Sequence, residues 1–185
     1  MRTFLAFDIA EDVKKRIAET SARLRATDPK IRWVKVENMH ITVYFFGEVE
    51  ENRIPDLERI GRQGIESIEP FSVSVQGISA FPRIEKARVI WYGIRNDEGQ
   101  LTKVYERVRE GLRGTGIVQT IEARPYTPHL TAGRVRDRIA RRLIDEIEEL
   151  QDISFGSSMV SEMILFKSAL TPRGAVYEKL SRFTL

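Results

Sequence analysis

Apolar and polar residues along the chain follow two different periods. Segments in which they alternate, or in which β-branched and aromatic residues cluster, predict strands, whereas apolar residues three or four positions apart predict amphipathic helices. The predicted strands or extended segments are 3–8, 31–36, 41–46, 71–78, 88–94, a segment beginning near residue 129, 159–166 and 175–183. The predicted helices are 11–24, 52–68, 100–112 and 137–150. Helices and strands are therefore interspersed along the whole chain.

Proline and glycine mark the breaks between these elements. Pro55 falls in the first turn of the helix predicted at 52–68, a position that tolerates its missing N–H group. Gly114 and Gly116 break the pattern of the helix predicted at 100–112. Turns are predicted at residues 82–83 and at the proline turn of residues 171–174.

The two halves of the chain repeat one another. Aligning His40 with His129 also aligns the helices that follow, and it places Pro82-Arg83 over Pro172-Arg173. The residues beyond the two turns agree in type as well, with ARVIW at 87–91 and GAVY at 174–177. A duplicated unit of this length predicts two similar lobes related by a pseudo-two-fold axis, with the two histidines facing each other across a cleft. Because no Gly/Ser-rich linker separates the halves, we expect residues 1–185 to form a single domain of two interleaved lobes.

The composition excludes several classes of protein. With 42% hydrophobic and 31% charged residues, the 185-residue chain is typical of soluble globular proteins, and no apolar run is long enough to span a bilayer. The first carboxylate, Asp8, comes too early for a signal peptide, so we expect a cytoplasmic protein. We also expect it to act as a monomer without membrane association. The absence of cysteine excludes disulfides, thiol nucleophiles and thiolate metal sites. The formal charge of +3 is compatible with an anionic substrate but is too small to demonstrate nucleic-acid binding.

The chain contains only two histidines, and both occupy the same frame, HITV at 40–43 and HLTA at 129–132. A single histidine is most often structural, but a pair at matching places in a duplicated chain favours acid–base catalysis. In an extended segment, residues two apart share a face, so His40 and Thr42 point the same way, as do His129 and Thr131. Two imidazoles and two hydroxyls around one small anion could open a phosphodiester without a metal.

Other residues near the frames add to this hypothesis. Arg134 follows His129 by five positions, and its guanidinium could hold a phosphate in a two-pronged contact. Tyr126 is the aromatic residue that we rank first for stacking on a nucleobase, because Pro128 restrains the adjoining chain. A metal site is the main chemical alternative, but no H-E-x-x-H motif or carboxylate-rich loop accompanies the histidines, and we expect none. The phosphate-binding motif G-x-x-x-x-G-K-[ST] and the motif G-x-S-x-G of serine hydrolases are also absent.

These segments resemble a known family. NMHITVYFFGEV at 38–49 and YTPHLTAGR at 126–134 are similar to the two signatures of the 2H phosphoesterases, and most closely to the RNA 2′,3′-cyclic phosphodiesterases, historically called 2′-5′ RNA ligases. RTFLAF at 2–7, AFPR at 80–83 and VIW at 89–91 are also typical of that family, so the resemblance covers nearly the whole chain. The chain departs from it at Val43 and Ala132, where the family often has leucine.

The resemblance implies a bilobal α+β fold with antiparallel sheets lining a central cleft and helices outside. It implies that His40 and His129 are the catalytic pair and that Thr42, Thr131 and Arg134 bind the phosphate. The implied reaction hydrolyses an RNA 2′,3′-cyclic phosphate end to a 2′-phosphomonoester without metal or cofactor, and family members also join tRNA halves reversibly through 2′-5′ bonds. The residues leave open which histidine is the base.

Two other functions stay open at this point. The same catalytic core could act on a small nucleotide, such as a cyclic phosphate derived from ADP-ribose. Alternatively, the chain could be a module that binds RNA ends with little catalysis, which the basic balance and Tyr126 favour.

Overall fold

The computed structural model describes residues 1–121, 124–171 and 174–185. Pro172 and Arg173, at the centre of the second predicted turn, lie outside the described residues. The strands are β1 Arg2–Phe7, β2 Arg32–Trp33, β3 Ile41–Glu48, β4 Phe71–Phe81, β5 Val89–Arg95, β6 His129–Arg134, β7 Ser154–Val160, β8 Glu162–Thr171 and β9 Gly174–Thr184. The helices are α1 Glu11–Thr27, α2 Ile54–Ile65, α3 Gln100–Gly111 and α4 Arg141–Glu149.

The strands form an antiparallel sheet in the order β7-β4-β5-β6-β3-β1-β8-β9, with β2 beside β6. Strands β3 and β6 are joined through one residue pair, Ile41 with Leu130, so the sheet divides there into two lobes. Lobe A contains β3, β1, β8 and β9, and lobe B contains β6, β5, β4 and β7. Each lobe takes two of its strands from each half of the chain. This arrangement confirms the expected bilobal α+β fold.

One face of the sheet carries the hydrophobic core, and the helices cover that face. Val13, Ile17 and Leu24 are buried on one side of α1, and Leu57 and Ile60 are buried on α2. Burial of each such aliphatic side chain contributes roughly 1.5–3 kcal/mol relative to exposure, so packing on this face stabilises the fold. We call the opposite face of the sheet, which does not carry this core, the cleft face. Within the described ranges, no helix is both long and apolar enough to cross a membrane.

The predicted strand 159–166 is wrong, because two strands occupy this region. The chain changes lobes at Ser161: Val160 pairs with Phe71 of β4 in lobe B, whereas Glu162 pairs with Thr184 of β9 in lobe A. No proline or glycine marks the break, so the sequence alone does not show that two strands are present.

Three other elements are shorter than predicted. Helix α4 begins at Arg141 rather than at residue 137, and the Asp28 carboxylate accepts a hydrogen bond from Ala140 N (3.3 Å) just before it. Helix α2 spans 54–65, with Pro55 in its first turn and a short 3₁₀ turn at 51–53 before it. The extended segment 31–36 contributes only β2 and leads into a 3₁₀ turn at 36–38.

Candidate active site

The junction of the lobes places the two histidine frames on one surface. Ile41 and Leu130, the residues after His40 and His129, pair with each other and are both fully buried on the core face. Because side chains alternate along a strand, the histidine and threonine of each frame lie on the cleft face. The predicted meeting of the two frames across the pseudo-two-fold axis therefore occurs at the centre of the sheet. In a regular antiparallel pair, the histidines would be diagonal neighbours about 7–8 Å apart.

Backbone carbonyls fix the orientation of both imidazoles. His40 Nδ1 lies 2.9 Å from the carbonyl oxygen of Asn38, and His129 Nδ1 lies 2.7 Å from that of Thr127. A carbonyl oxygen only accepts hydrogen bonds, so Nδ1 must carry the proton in each ring. In a neutral ring, Nε2 is then the atom with a free lone pair, and in a charged ring Nε2 carries a proton that it can donate. The two frames thus reproduce the same arrangement.

His40 lies among aromatic side chains of lobe A. Its ring stacks on Phe4 with centroids 4.7 Å apart, and the edge-to-face contact with Tyr177 is 5.2 Å between centroids. Phe166 extends the stack beyond Phe4. Burial lowers the pKa of His40 to about 4, because the surroundings solvate the charged ring poorly, while the Asn38 carbonyl and the Asp8 carboxylate act in the opposite direction. His40 is therefore a neutral proton acceptor near neutral pH.

His129 lies against aromatic residues of lobe B but is less enclosed. Phe81 contacts it edge-to-face at 5.3 Å between centroids, and Trp91 is 6.1 Å away. Burial lowers the pKa of His129, and the positive charge of Arg134 lowers it further, against the effect of the Thr127 carbonyl. The two imidazoles therefore share the same tautomer in different electrostatic surroundings.

A β-bulge brings Arg134 to the cleft face. Thr131 pairs with Trp91 of β5 and Arg134 pairs with Val89, and the register shift between them leaves Ala132 as the extra residue of β6. Strict alternation would have placed Arg134, five residues after His129, on the opposite face. Because a bulge adds one residue, Arg134 shares the face of His129 and Thr131. The structure thus brings His40, His129, Thr42, Thr131 and Arg134 together on one surface.

Tyr126 has different surroundings from those predicted. Its ring stacks on Tyr105 with centroids 4.6 Å apart and planes 8° apart, and its hydroxyl donates to the backbone carbonyl of Thr42 at 2.9 Å. Burial raises its pKa, as expected for a phenol packed against the core. One ring face is thus covered and the hydroxyl is engaged, and stacking of a nucleobase on the ring stays a prediction. The contacts support a role in holding the backbone of Thr42.

Tyr177 and two arginines belong to the cleft face but were not identified from the sequence. Burial raises the pKa of the Tyr177 phenol, while the charges of Arg134, Arg2 and Arg32 act to lower it. Arg32 pairs with Arg134 across β2 and β6, so both lie on the same face. Alternation along β9 could have placed Tyr177 on one face, but only the folded pairing shows which face that is.

The described residues do not form a group of three or more His, Cys, Asp or Glu side chains able to hold a metal ion. The residues gathered at the cleft are instead imidazoles, hydroxyls and guanidinium groups. Such a set of side chains suits the binding of an anion and the transfer of protons during its reaction.

Comparison with known proteins agrees with this geometry. The family model for LigT like phosphoesterases matches the chain twice, at residues 7–91 and 94–177, in keeping with the internal repeat. The chain is 35% identical over all of its length to the RNA 2′,3′-cyclic phosphodiesterase of Methanothermobacter thermautotrophicus, covering 99% of that protein. It is 36% identical over 99% of its length to the RNA 2′,3′-cyclic phosphodiesterase of Methanocaldococcus jannaschii, covering all of that protein.

The fold is also similar to the crystal structure of TT0787 of Thermus thermophilus, with a TM-score of 0.83 at 26% identity, covering 100% of this chain and 98% of that one. Family match, full-length relatives and fold all agree: the chain belongs to the LigT-like 2H phosphoesterases and is a hydrolase of phosphate esters.

Proposed function

We propose that this protein hydrolyses RNA 2′,3′-cyclic phosphate ends to 2′-phosphomonoesters by a metal-independent, two-histidine mechanism. The observation that carries the proposal is the Ile41–Leu130 pair, which sets His40 and His129 on one face with Nδ1 of each ring bound to a carbonyl. Each ring then presents Nε2 as the group that exchanges a proton with substrate. The full-length archaeal relatives bearing the name RNA 2′,3′-cyclic phosphodiesterase support the choice of substrate.

The reaction balances with one neutral and one protonated imidazole. The neutral ring accepts a proton at Nε2 from water as the water oxygen forms a bond to phosphorus. The bond between phosphorus and the ribose O3′ breaks, and the protonated ring donates its Nε2 proton to O3′. The product carries a phosphate on O2′ and a hydroxyl on C3′, and the two imidazoles have exchanged protonation states.

The remaining residues of the surface hold the phosphate in this proposal. The hydroxyls of Thr42 and Thr131 donate hydrogen bonds to its non-bridging oxygens, and the Arg134 guanidinium neutralises charge that builds up in the transition state. Tyr126 acts indirectly, through its hydrogen bond to the Thr42 carbonyl.

The same site would also join RNA ends. If a ribose 5′-hydroxyl replaces water as the nucleophile, opening the cyclic phosphate at O3′ leaves a 2′-5′ phosphodiester. We propose tRNA halves, one with a cyclic phosphate and one with a free 5′-hydroxyl, as substrates of this reversible reaction.

Product analysis tests the proposal. RNA with a 2′,3′-cyclic phosphate end is incubated with protein in excess chelator, and the 2′- and 3′-monoesters are separated. We expect only the 2′-monoester, formed at the same rate with and without chelator. A 3′-monoester, or activity that chelator abolishes and added metal restores, would contradict the mechanism.

Substitution of the histidines tests the acid–base pair. His40→Ala and His129→Ala should each lower kcat by about 10²- to 10⁴-fold, the usual contribution of a positioned acid or base. Val176→Ala, on an exposed side chain on the opposite face of β9 from Tyr177, serves as the control and should retain full turnover. Circular dichroism verifies that each variant is folded. Wild-type turnover in either histidine variant would refute the two-histidine mechanism.

A further inference from the structure

The ion pair of Asp8 and Lys14 lies at the end of β1, beside His40. Phe7 pairs with Ile41 in the ladder of β1 and β3, so the next residues on the two strands, Asp8 and His40, lie opposite each other. Residues at opposite positions of antiparallel strands have Cβ atoms about 4.5–5.5 Å apart. Because Phe7 is fully buried in the core, alternation turns Asp8 to the cleft face, which it shares with His40.

Lys14 is a buried lysine that keeps its charge. Its side chain is only 8% exposed, and Nζ lies 2.9 Å from Asp8 Oδ1 and 3.1 Å from Glu11 Oε1. Burial acts to lower the pKa of Lys14, but the two carboxylates outweigh it, so the pKa is raised and the ammonium group is charged at neutral pH. Lysine is seldom buried without such partners. A positive charge is therefore held inside the fold, one side chain away from His40.

The Asp8 carboxylate is held in place by two contacts, both on Oδ1. It accepts a hydrogen bond of 2.9 Å from the Ile9 backbone N–H and receives the Lys14 ammonium. The bond to Ile9 joins adjacent residues, so it would keep the carboxylate beside His40 even without the lysine. Because the Asp8 side chain is 46% exposed, water screens part of its charge, and we expect a moderate effect on its neighbours.

Opposing charges act on the His40 ring from several elements. Asp8 favours the charged ring, whereas Lys14 of α1 and His129 of β6 disfavour it, and Asp8 acts more strongly than either. Tyr177 of β9 contacts the ring edge-to-face, and its phenol is neutral at neutral pH, since burial raises its pKa. Nδ1 of the ring is bound to a backbone carbonyl. The Asp8 carboxylate therefore acts on His40 through its charge and leaves the tautomer unchanged.

We propose that Asp8 and Lys14 are a positioning pair for His40: the carboxylate stabilises the imidazolium that forms when the ring accepts a proton, and the ammonium offsets that effect so that the resting ring is neutral. This inference rests on the proposed function, in which His40 exchanges a proton with the substrate. Asp8 and Lys14 act on the reaction only through the ring. Removing either charge should therefore change how readily His40 binds a proton.

NMR titration of the imidazole signals tests the pair. The chain has only two histidines, so His129→Gln leaves one signal and thereby assigns that of His40. Lys14→Met should raise the pKa of His40 by about 1, because the Asp8 carboxylate keeps its place and its charge is no longer offset. Lys14→Arg, which keeps the charge, should retain the wild-type pKa. Lys15→Met is the matched control, since it removes the same charge from an exposed neighbouring position, and it should also retain that pKa.

Substitution of Asp8 should have the opposite effect. Asp8→Asn keeps the shape of the side chain and should lower the pKa of His40, and in combination with Lys14→Met it should reverse the rise. A pKa that is unchanged or lowered in folded Lys14→Met, or a rise that persists in the double variant, would refute the pair. If Lys14→Met does not fold, Asp8→Asn decides alone, and an unchanged pKa in that variant would refute the pair.

Kinetics distinguish a failure of this inference from a failure of the proposed function. If His40 exchanges a proton during hydrolysis, the acid limb of kcat/KM in Lys14→Met should move to higher pH by the same amount as the pKa measured by NMR. A raised pKa with an unmoved acid limb would refute the role of His40 in the reaction and retain the pair. A pKa and an acid limb that both keep their wild-type values would refute the pair and retain the two-histidine mechanism.

Discussion

At the scale of single residues, the chemistry depends on which nitrogen each histidine presents to the cleft. The carbonyls of Asn38 and Thr127 accept from Nδ1, and both lie two residues before the ring that they orient. Local backbone geometry therefore fixes the tautomer of each ring independently of the other lobe. The two rings differ in how deeply they are buried. Burial lowers the pKa of His40 to about 4, and it also lowers the pKa of the less enclosed His129.

The lowered pKa values predict an acidic pH optimum for kcat/KM. In the proposed mechanism the active free enzyme needs one charged and one neutral imidazole, and that form disappears as pH rises above the higher pKa of the pair. Because both pKa values are lowered, the alkaline limb of kcat/KM should lie below pH 6.5, the ordinary histidine value. A bound phosphate anion stabilises the imidazolium, so the corresponding limb of kcat should lie at higher pH. Initial rates from pH 4 to 9 at constant ionic strength measure both limbs, and coinciding limbs above pH 7 would contradict the prediction.

Burial of neutral His40 also predicts a loss of stability in acid. The unfolded chain binds a proton at this histidine below about pH 6.5, but the folded chain binds it only near pH 4. Lowering the pH through this window therefore favours the unfolded state, and the difference in pKa corresponds to roughly 3 kcal/mol. Urea unfolding at pH 7 and pH 4.5 should show that the wild type loses about 2–3 kcal/mol more than His40→Gln. Equal losses in the two proteins would show that His40 is not buried in its neutral form.

At the scale of elements, small irregularities in β3 and β6 decide which side chains reach the substrate. The bulges at Val43 and Ala132 place two buried residues in succession on each strand and turn the next residue to the cleft face. Gly133, the second of these residues in β6, lies against Ile31 and Trp33. This close approach of β2 explains why glycine follows the bulge.

Gly133→Ala should therefore disturb both packing and activity. An added Cβ would lie 2.9 Å from Ile31 Cγ2 and 3.0 Å from Trp33 Cε3, and Trp33 is held by a 2.9 Å hydrogen bond from Nε1 to the Asp28 carbonyl. We expect a loss of about 1–3 kcal/mol in the free energy of unfolding, together with a lower kcat/KM, because the strand that carries Arg134 must move. Ile31→Ala in the same chain should recover part of the loss, so that the double variant costs less than the sum of the single ones. Additive costs would show that the clash is relieved elsewhere.

The irregular elements are also where prediction from the sequence fails. Amphipathic spacing located the four α-helices of the described residues, and the strands 3–8 and 41–46 were recognised, because burial of one face imposes a period that residue types display. The break at Ser161 was missed because no proline or glycine marks the point at which the chain passes from one lobe to the other. Arg134 was identified by its chemistry. The face of the sheet on which it lies depends on a β-bulge, and a bulge produces no periodic pattern in the sequence. The surroundings of Tyr126 are set by Tyr105, far away in sequence, and no local pattern reports such a contact.

At the scale of the whole molecule, duplication explains how one short motif provides both of the proposed proton-transfer groups. Two copies of the frame meet at Ile41 and Leu130, so a pseudo-two-fold axis passes between the imidazoles. A symmetric pair suits a reaction in which one proton is removed and another is added at opposite sides of phosphorus. The surroundings of the two rings then differ, because His40 is more deeply buried and Arg134 acts on His129, which makes the two halves electrostatically unequal.

The distribution of charge over the molecule matters more than its net charge of +3. Arg2 of lobe A, Arg32 of β2 and Arg134 of lobe B all act on the Tyr177 phenol, so three guanidinium groups lie in its neighbourhood. Several other arginines lie in ion pairs within helices, such as the exposed Arg142 with Glu146 of α4 at 3.8 Å. The cleft is therefore a part of the described surface at which positive charge converges, as the proposed RNA substrate requires.

This concentration of charge predicts a salt dependence that single substitutions can dissect. The slope of log(kcat/KM) against log salt concentration is negative for a cyclic-ended oligonucleotide. If Arg32 contacts an RNA phosphate, Arg32→Gln should make this slope about 0.7 less steep, since one fewer counterion is released on binding. Arg142→Gln, on the outer surface of α4, should leave the slope unchanged although it removes the same charge. Stopped reactions from 50 to 300 mM KCl measure the slopes. Equal reductions in the two variants would mean that the protein attracts RNA through its overall charge, and that the cleft arginines have no special part in binding.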